Sequence, residues 1–137
     1  ATYVAPYQWG TTGLGVDKGV LGEDFPRSWG LVFDSALVEQ YGTSGAISLL
    51  NDPRETMGAA LKYLGYSLNT TSEDELNEAR DLLRDAVSNL AAFDSDSYDE
   101  NIASGQTSVA HAPEPVVSND SIAPNPVMNE RATSWVG

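Results

Sequence analysis

Two stretches of the chain place apolar residues at helical spacing behind a clear start signal. In NDPRETMGAALKYLGY, Met57, Ala60, Leu61 and Leu64 fall on one side of a helix. Asp52 occupies the N-cap, Pro53 the first helical position and Glu55 the N3 position of a capping box. Gly65 follows the last apolar position, where a left-handed residue can end the helix. Ser72 and Glu75 repeat the box ahead of a stripe of Leu76, Ala79, Leu83, Ala86, Val87 and Leu90.

Short apolar runs supply the strand candidates: AISLLN at 46–51, which delivers the chain to Asp52, the segment from Thr107 to Ala112, and the closing ATSWV. The opening ATYVAPYQWGTTGLGV mixes β-branched and aromatic residues with Gly10, Gly13 and Gly15, and reads as strand, turn, strand. A polar loop is expected over VDKGVLGEDFPRSWG, then one or two short helical turns in LVFDSALVEQYG with Gly42 as the stop. Beyond Leu90 the order is an extended piece, an Asp/Ser loop, a helical turn and the Thr107 strand. Four prolines between Pro113 and Asn129 argue against another packed element there. Strands interleaved with helices predict one α/β lobe over residues 1–137, a three-layer sandwich whose mixed sheet admits antiparallel pairing for the strands at either end.

Composition changes this picture in two ways. The chain has no cysteine, which excludes disulfides and thiolate metal sites, and 137 residues suffice to bury about 70% of the extended surface without staples. The N-terminus lacks the basic-then-apolar pattern of a signal peptide, so an exported protein is expected here in its mature form. The net charge of -13, from 20 acids against 7 bases, opposes nucleic acid and anionic lipid and favours cationic partners. Half of the acids lie between Glu73 and Glu100, where an exposed helix and its loop are expected to be solvated.

Helix capping alone accounts for Asp52 and Glu55. Binding is compatible with it, because both acids would sit beyond the C-terminal end of a strand, where α/β domains commonly hold ligands. Tyr3, Tyr7, Trp9, Trp29, Tyr41 and Trp135 could offer ring faces to an ammonium group, although Trp29, followed by Val32 and Phe33, reads as packing. The glycines of WGTTGLG match neither GxGxxG nor a P-loop. His111 is the only histidine and has no metal-ligand spacing around it; it reads as a packing or surface residue of a strand. Ser95 and Ser97 lack a nucleophile elbow, and DSDSYDE lacks the spaced ligands of a calcium loop. No nucleophile, base and orienter can be assembled, so an enzyme is not expected. No metal or cofactor is expected either.

PYQWGTTGLGV, PRSWGLVFD, NDPRETMGAALKYLGYSLNTT, AAFDSDSY, IASGQTSVA and ATSWV, in that order, resemble the second lobe of the bacterial periplasmic spermidine/putrescine-binding proteins that feed ABC transporters. The resemblance covers nearly the whole chain. It implies the type II periplasmic-binding-protein fold, an exported location, and a polyamine held between two lobes by carboxylates and aromatic rings. By position it assigns ligand contacts to Asp52 and Glu55, within the DPRE motif, and to Trp135, with Trp9 and Thr11 as candidate lining residues. Two positions depart from the family pattern: Gly137 stands where an aspartate follows the last tryptophan, and Pro113 where another tryptophan is expected. The implied partners are a polyamine or other small cation, a first lobe or a protein in its place, and membrane transporter subunits. A non-enzymatic interaction or structural subunit built on the same lobe is the competing reading.

Overall fold

The computed structural model of the protein describes residue 3, residues 12–113 and residues 133–136. In chain order, β1 (Thr12–Asp17) runs into a one-turn helix, α1 (Lys18–Leu21), and then into α2 (Gly30–Phe33) and α3 (Ser35–Tyr41). β2 (Ile47–Leu49) leads to the two long helices, α4 (Pro53–Leu64) and α5 (Glu73–Ala86), and a 3-10 turn at Val87–Asn89 delivers the chain to β3 (Leu90–Phe93). α6 (Tyr98–Ser104), β4 (Val109–Pro113) and β5 (Thr133–Val136) follow.

The strands form one sheet in the order β3-β2-β4-β1-β5. β2 is parallel to β3 and β4, whereas β1 is antiparallel to both β4 and β5. The sheet is therefore mixed, with its antiparallel part formed by the strands nearest the two ends of the chain. Cross-strand partners share a face. Leu14 with His111 and Val16 with Val109 belong to one face, and Gly13 with Ala112 and Gly15 with Ala110 to the other. The first face meets the main core, where Leu14, Val16, Ile47, Leu49 and Val109 pack with Trp29, Val32, Ala59, Ala60, Leu61 and Ala79. α6 packs against β4 and β1, and its Ile102 is fully buried outside that cluster.

Both long helices start as their capping residues dictate. Asp52 accepts hydrogen bonds from Arg54 N at 2.9 Å and Glu55 N at 3.0 Å, and Ser72 Oγ accepts from Glu75 N at 3.5 Å. Gly65 closes α4 in the left-handed region at φ 84°, and Gly42 does the same for α3 at φ 63°.

Two expectations need correction. Gly13 and Gly15 do not turn the chain: they lie inside β1, opposite Ala112 and Ala110, on a face of small residues. The stretch after Val16 is not all loop, because the Asp17 carboxylate accepts from Gly19 N at 2.8 Å and nucleates α1. The strand expected before Gly10 and the proline-rich tail beyond Pro113 lie outside the described residues.

Candidate functional site

The C-terminal end of β2 feeds a turn that is pinned from three sides. Thr56 Oγ1 donates to Leu50 O at 2.8 Å, Asn51 N donates to Ser95 Oγ at 2.9 Å, and Asp52 caps the helix that follows. Ser95, dismissed as a nucleophile, thus has a positioning role in the loop after β3. Asp94 beside it accepts from Asp96 N, Ser97 N and Asn101 Nδ2. Those backbone donors hold its carboxyl below the usual range and leave it organising the entry to α6.

The fixed turn aims the first turn of α4 at a cavity of about 310 Å³. Its wall is built from Glu55, Gly58, Ala59 and Lys62, spaced three and four residues apart on one stripe of α4, together with Arg54. Thr12 from β1, His111 from β4, Trp29 just ahead of α2, and Leu68 in the loop after α4 close it. The antiparallel register explains the convergence, because it sets Thr12 opposite Pro113 and so brings the start of β1 to the end of β4.

Glu55 was expected to return a capping bond to Asp52, but its carboxylate does something else: it accepts the Thr12 hydroxyl at 2.8 Å, across 43 residues of chain. The helix is capped by Asp52 alone, and Glu55 is left half-buried on the cavity wall in a fixed orientation. Asp52 itself is exposed, with one oxygen shared by two backbone donors, and lies beside the cavity-lining residues, not among them.

His111 is 1% exposed and stands edge-on to Trp29, ring centroids 5.2 Å apart at 88°. Leu50 N approaches its Nδ1 at 3.5 Å, which assigns the ring proton to Nε2. Burial pushes its pKa down from 6.5 to about 4, against the opposing pull of the Glu55 and Asp52 carboxylates. The imidazole is therefore neutral at pH 7 and serves as a hydrogen-bonding wall. Trp29 is 7% exposed, and its Nε1 is buried without a partner among the described residues.

Of the residues singled out from the sequence, the structure brings Glu55 to the cavity and Asp52 to its border. Trp9, Thr11 and the side chain of Trp135 lie outside what is described; the backbone of Trp135 pairs with Gly15 in the β1–β5 ladder. Pro113 ends β4 and is exposed. Thr12, Trp29, His111 and Lys62 were missed as cavity residues. A β2–α4 signal marks only one wall, and the others come from strands whose register sequence spacing does not encode. No group of three His, Asp or Glu among the described residues is placed to hold a metal.

No protein-family model matches the chain. A putrescine/cadaverine-binding protein of Pseudomonas aeruginosa is 40% identical over 112 residues, which are 80% of this chain and 31% of that protein. The putrescine-binding periplasmic protein PotF of Escherichia coli is 36% identical over 114 residues, 79% of this chain and 30% of its own length. Among solved structures, the Tp0655 (TpPotD) lipoprotein of Treponema pallidum superimposes with a TM-score of 0.74 at 32% identity, covering 95% of this chain and 38% of the lipoprotein. The chain spans about a third of the length of the relatives it matches.

Proposed function

We propose that this chain, a homologue of the periplasmic putrescine- and spermidine-binding proteins of ABC transporters that matches one lobe of their type II fold, is an amine-binding lobe of such a transport receptor. Those relatives are binding proteins and not enzymes, and the chain is read the same way. The carrying observation is Glu55: a half-buried carboxylate, fixed by Thr12 at 2.8 Å, on the wall of a cavity at the C-terminal end of β2. An ammonium of a polyamine or other small cation would meet it there. Trp29 and Leu68 supply apolar surface for the methylenes. A second lobe, or a protein in its place, would close the cleft, and membrane subunits would receive the ligand. The compartment would be the periplasm or its exported equivalent, as named for the relatives.

Affinity follows from the openness of a one-lobed site. A solvated ion pair contributes about 0.2 to 1 kcal/mol and an exposed cation–π contact about 0.5 to 1 kcal/mol. Two pairs and one such contact stay well short of the roughly 8 kcal/mol that micromolar binding requires. The lone chain should bind putrescine at millimolar or weaker, with strong dependence on salt. NMR titration of wild type and Glu55→Gln at low and physiological salt tests this. Micromolar binding would refute the half-site, and equal weak binding by the variant would move the amine away from Glu55.

The competing interaction-subunit reading draws on one observation. Pro113 replaces an aromatic face that the polyamine-binding pattern expects, and it is exposed at the end of β4, beside Thr12.

A further inference from the structure

Among the described residues, the cavity is lined by more side chains that donate hydrogen bonds than by acidic acceptors. Its acidic side is Glu55, which already accepts from Thr12. Among the described residues that line the cavity with it, Arg54, Lys62 and the neutral His111 can donate hydrogen bonds. Arg54 gives one N–H to Asn69 Oδ1 at 3.0 Å and retains four others. In a chain of net charge -13, two of seven basic residues thus line one cavity with a single acid among the described residues.

Helix electrostatics does not account for this placement. Lys62 in the last turn of α4 suits the negative end of the helix dipole, but Arg54 in the first turn opposes the positive end. A diamine brings only donors. It would satisfy Glu55 with one end and set its second ammonium against Arg54 and Lys62.

We propose that the ligand taken by this cavity is a short zwitterion, with an ammonium on Glu55 and a carboxylate at the other end on Lys62 and the neighbouring donors. The inference rests on the amine reading of Glu55 and narrows the ligand class. Length agrees with it: seven residues of helix separate Glu55 from Lys62 by roughly 10 Å along the axis. Both side chains are long and lie on one stripe of α4, so a ligand a few carbons long can reach both charged groups. An extended ω-amino acid of four or five carbons meets that requirement.

The test is an NMR titration of the whole chain at low salt with 4-aminobutyrate and with putrescine, on wild type, Lys62→Gln, Lys62→Glu and Glu55→Gln. Wild type should bind 4-aminobutyrate at least threefold more tightly than putrescine. Lys62→Gln should weaken 4-aminobutyrate by about two- to fivefold without weakening putrescine, and Lys62→Glu should reverse the preference. Lys62 is exposed, so both variants should fold, and unchanged far-UV circular dichroism checks that. Glu55-dependent putrescine binding with 4-aminobutyrate no tighter would overturn the zwitterion and leave the amine site standing. Loss of Glu55 dependence for both ligands would overturn the amine reading itself.

Discussion

His111 makes acid stability a direct test of the site's geometry. Its folded pKa of about 4 lies below the ordinary 6.5, so the unfolded chain takes up a proton that the folded chain refuses. The stability tied to the neutral ring is therefore complete above pH 6.5 and is lost progressively as pH falls towards 4. At about 1.36 kcal/mol per pH unit, linkage gives a loss of about 2 kcal/mol at pH 5 and about 3 kcal/mol at pH 4 from this one residue. His111→Asn removes the titration while leaving an acceptor for Leu50 N. The variant should be less stable at pH 7, because the packing on Trp29 is lost, yet its urea stability should fall less steeply between pH 6.5 and 4 than that of wild type. Since His111 is the only histidine, its ring protons give a single NMR titration free of assignment. Glu55→Gln should move that midpoint lower still, because the carboxylate favours the protonated ring. A midpoint near 6.5, or parallel pH profiles for wild type and His111→Asn, would refute a buried neutral imidazole at the cavity.

Two further outcomes concern the frame around it. Asp52→Ala should cost about 1 kcal/mol in urea unfolding and Asp52→Asn less, because asparagine keeps an oxygen for Arg54 N and Glu55 N; equal stability of wild type and Asp52→Ala would remove the cap assignment. Thr12→Val keeps the side-chain shape but deletes the donor to Glu55, and should cost about 1.5 kcal/mol, the upper end of the usual hydrogen-bond range, because the acceptor is charged; a Thr12→Val protein as stable as wild type and with unaltered putrescine shifts would show that the bond does not orient the carboxylate.

The parts of this fold legible in the sequence were those governed by near neighbours. Asp52, Pro53 and Gly65 bound α4 through bonds within a few residues, and the alternation of apolar runs with helices was enough to predict an α/β lobe with a mixed sheet. The site needed distant partners. Glu55 at N3 is indistinguishable by spacing from a reciprocal cap, and only the arrival of Thr12 from β1 decides its partner. His111 reads from the sequence as either a packing or a surface residue of a strand; its burial decides for packing, and its place on the cavity depends on its register with Leu14. The glycines of β1 looked like turn residues because glycine signals both a turn and close approach. Their pairing with Ala110 and Ala112 favours the second.

The bond from Thr12 to Glu55 ties the first residue of a sheet strand to a carboxylate on the cavity wall. Any force that bends the chain where it enters β1 must either break that bond or drag the carboxylate with it, so the wall behaves as a lever with its handle outside the cavity. Linkage makes the lever work in reverse as well: a ligand that binds Glu55 better in one orientation than another biases the direction in which the polypeptide leaves the sheet, by the same free energy.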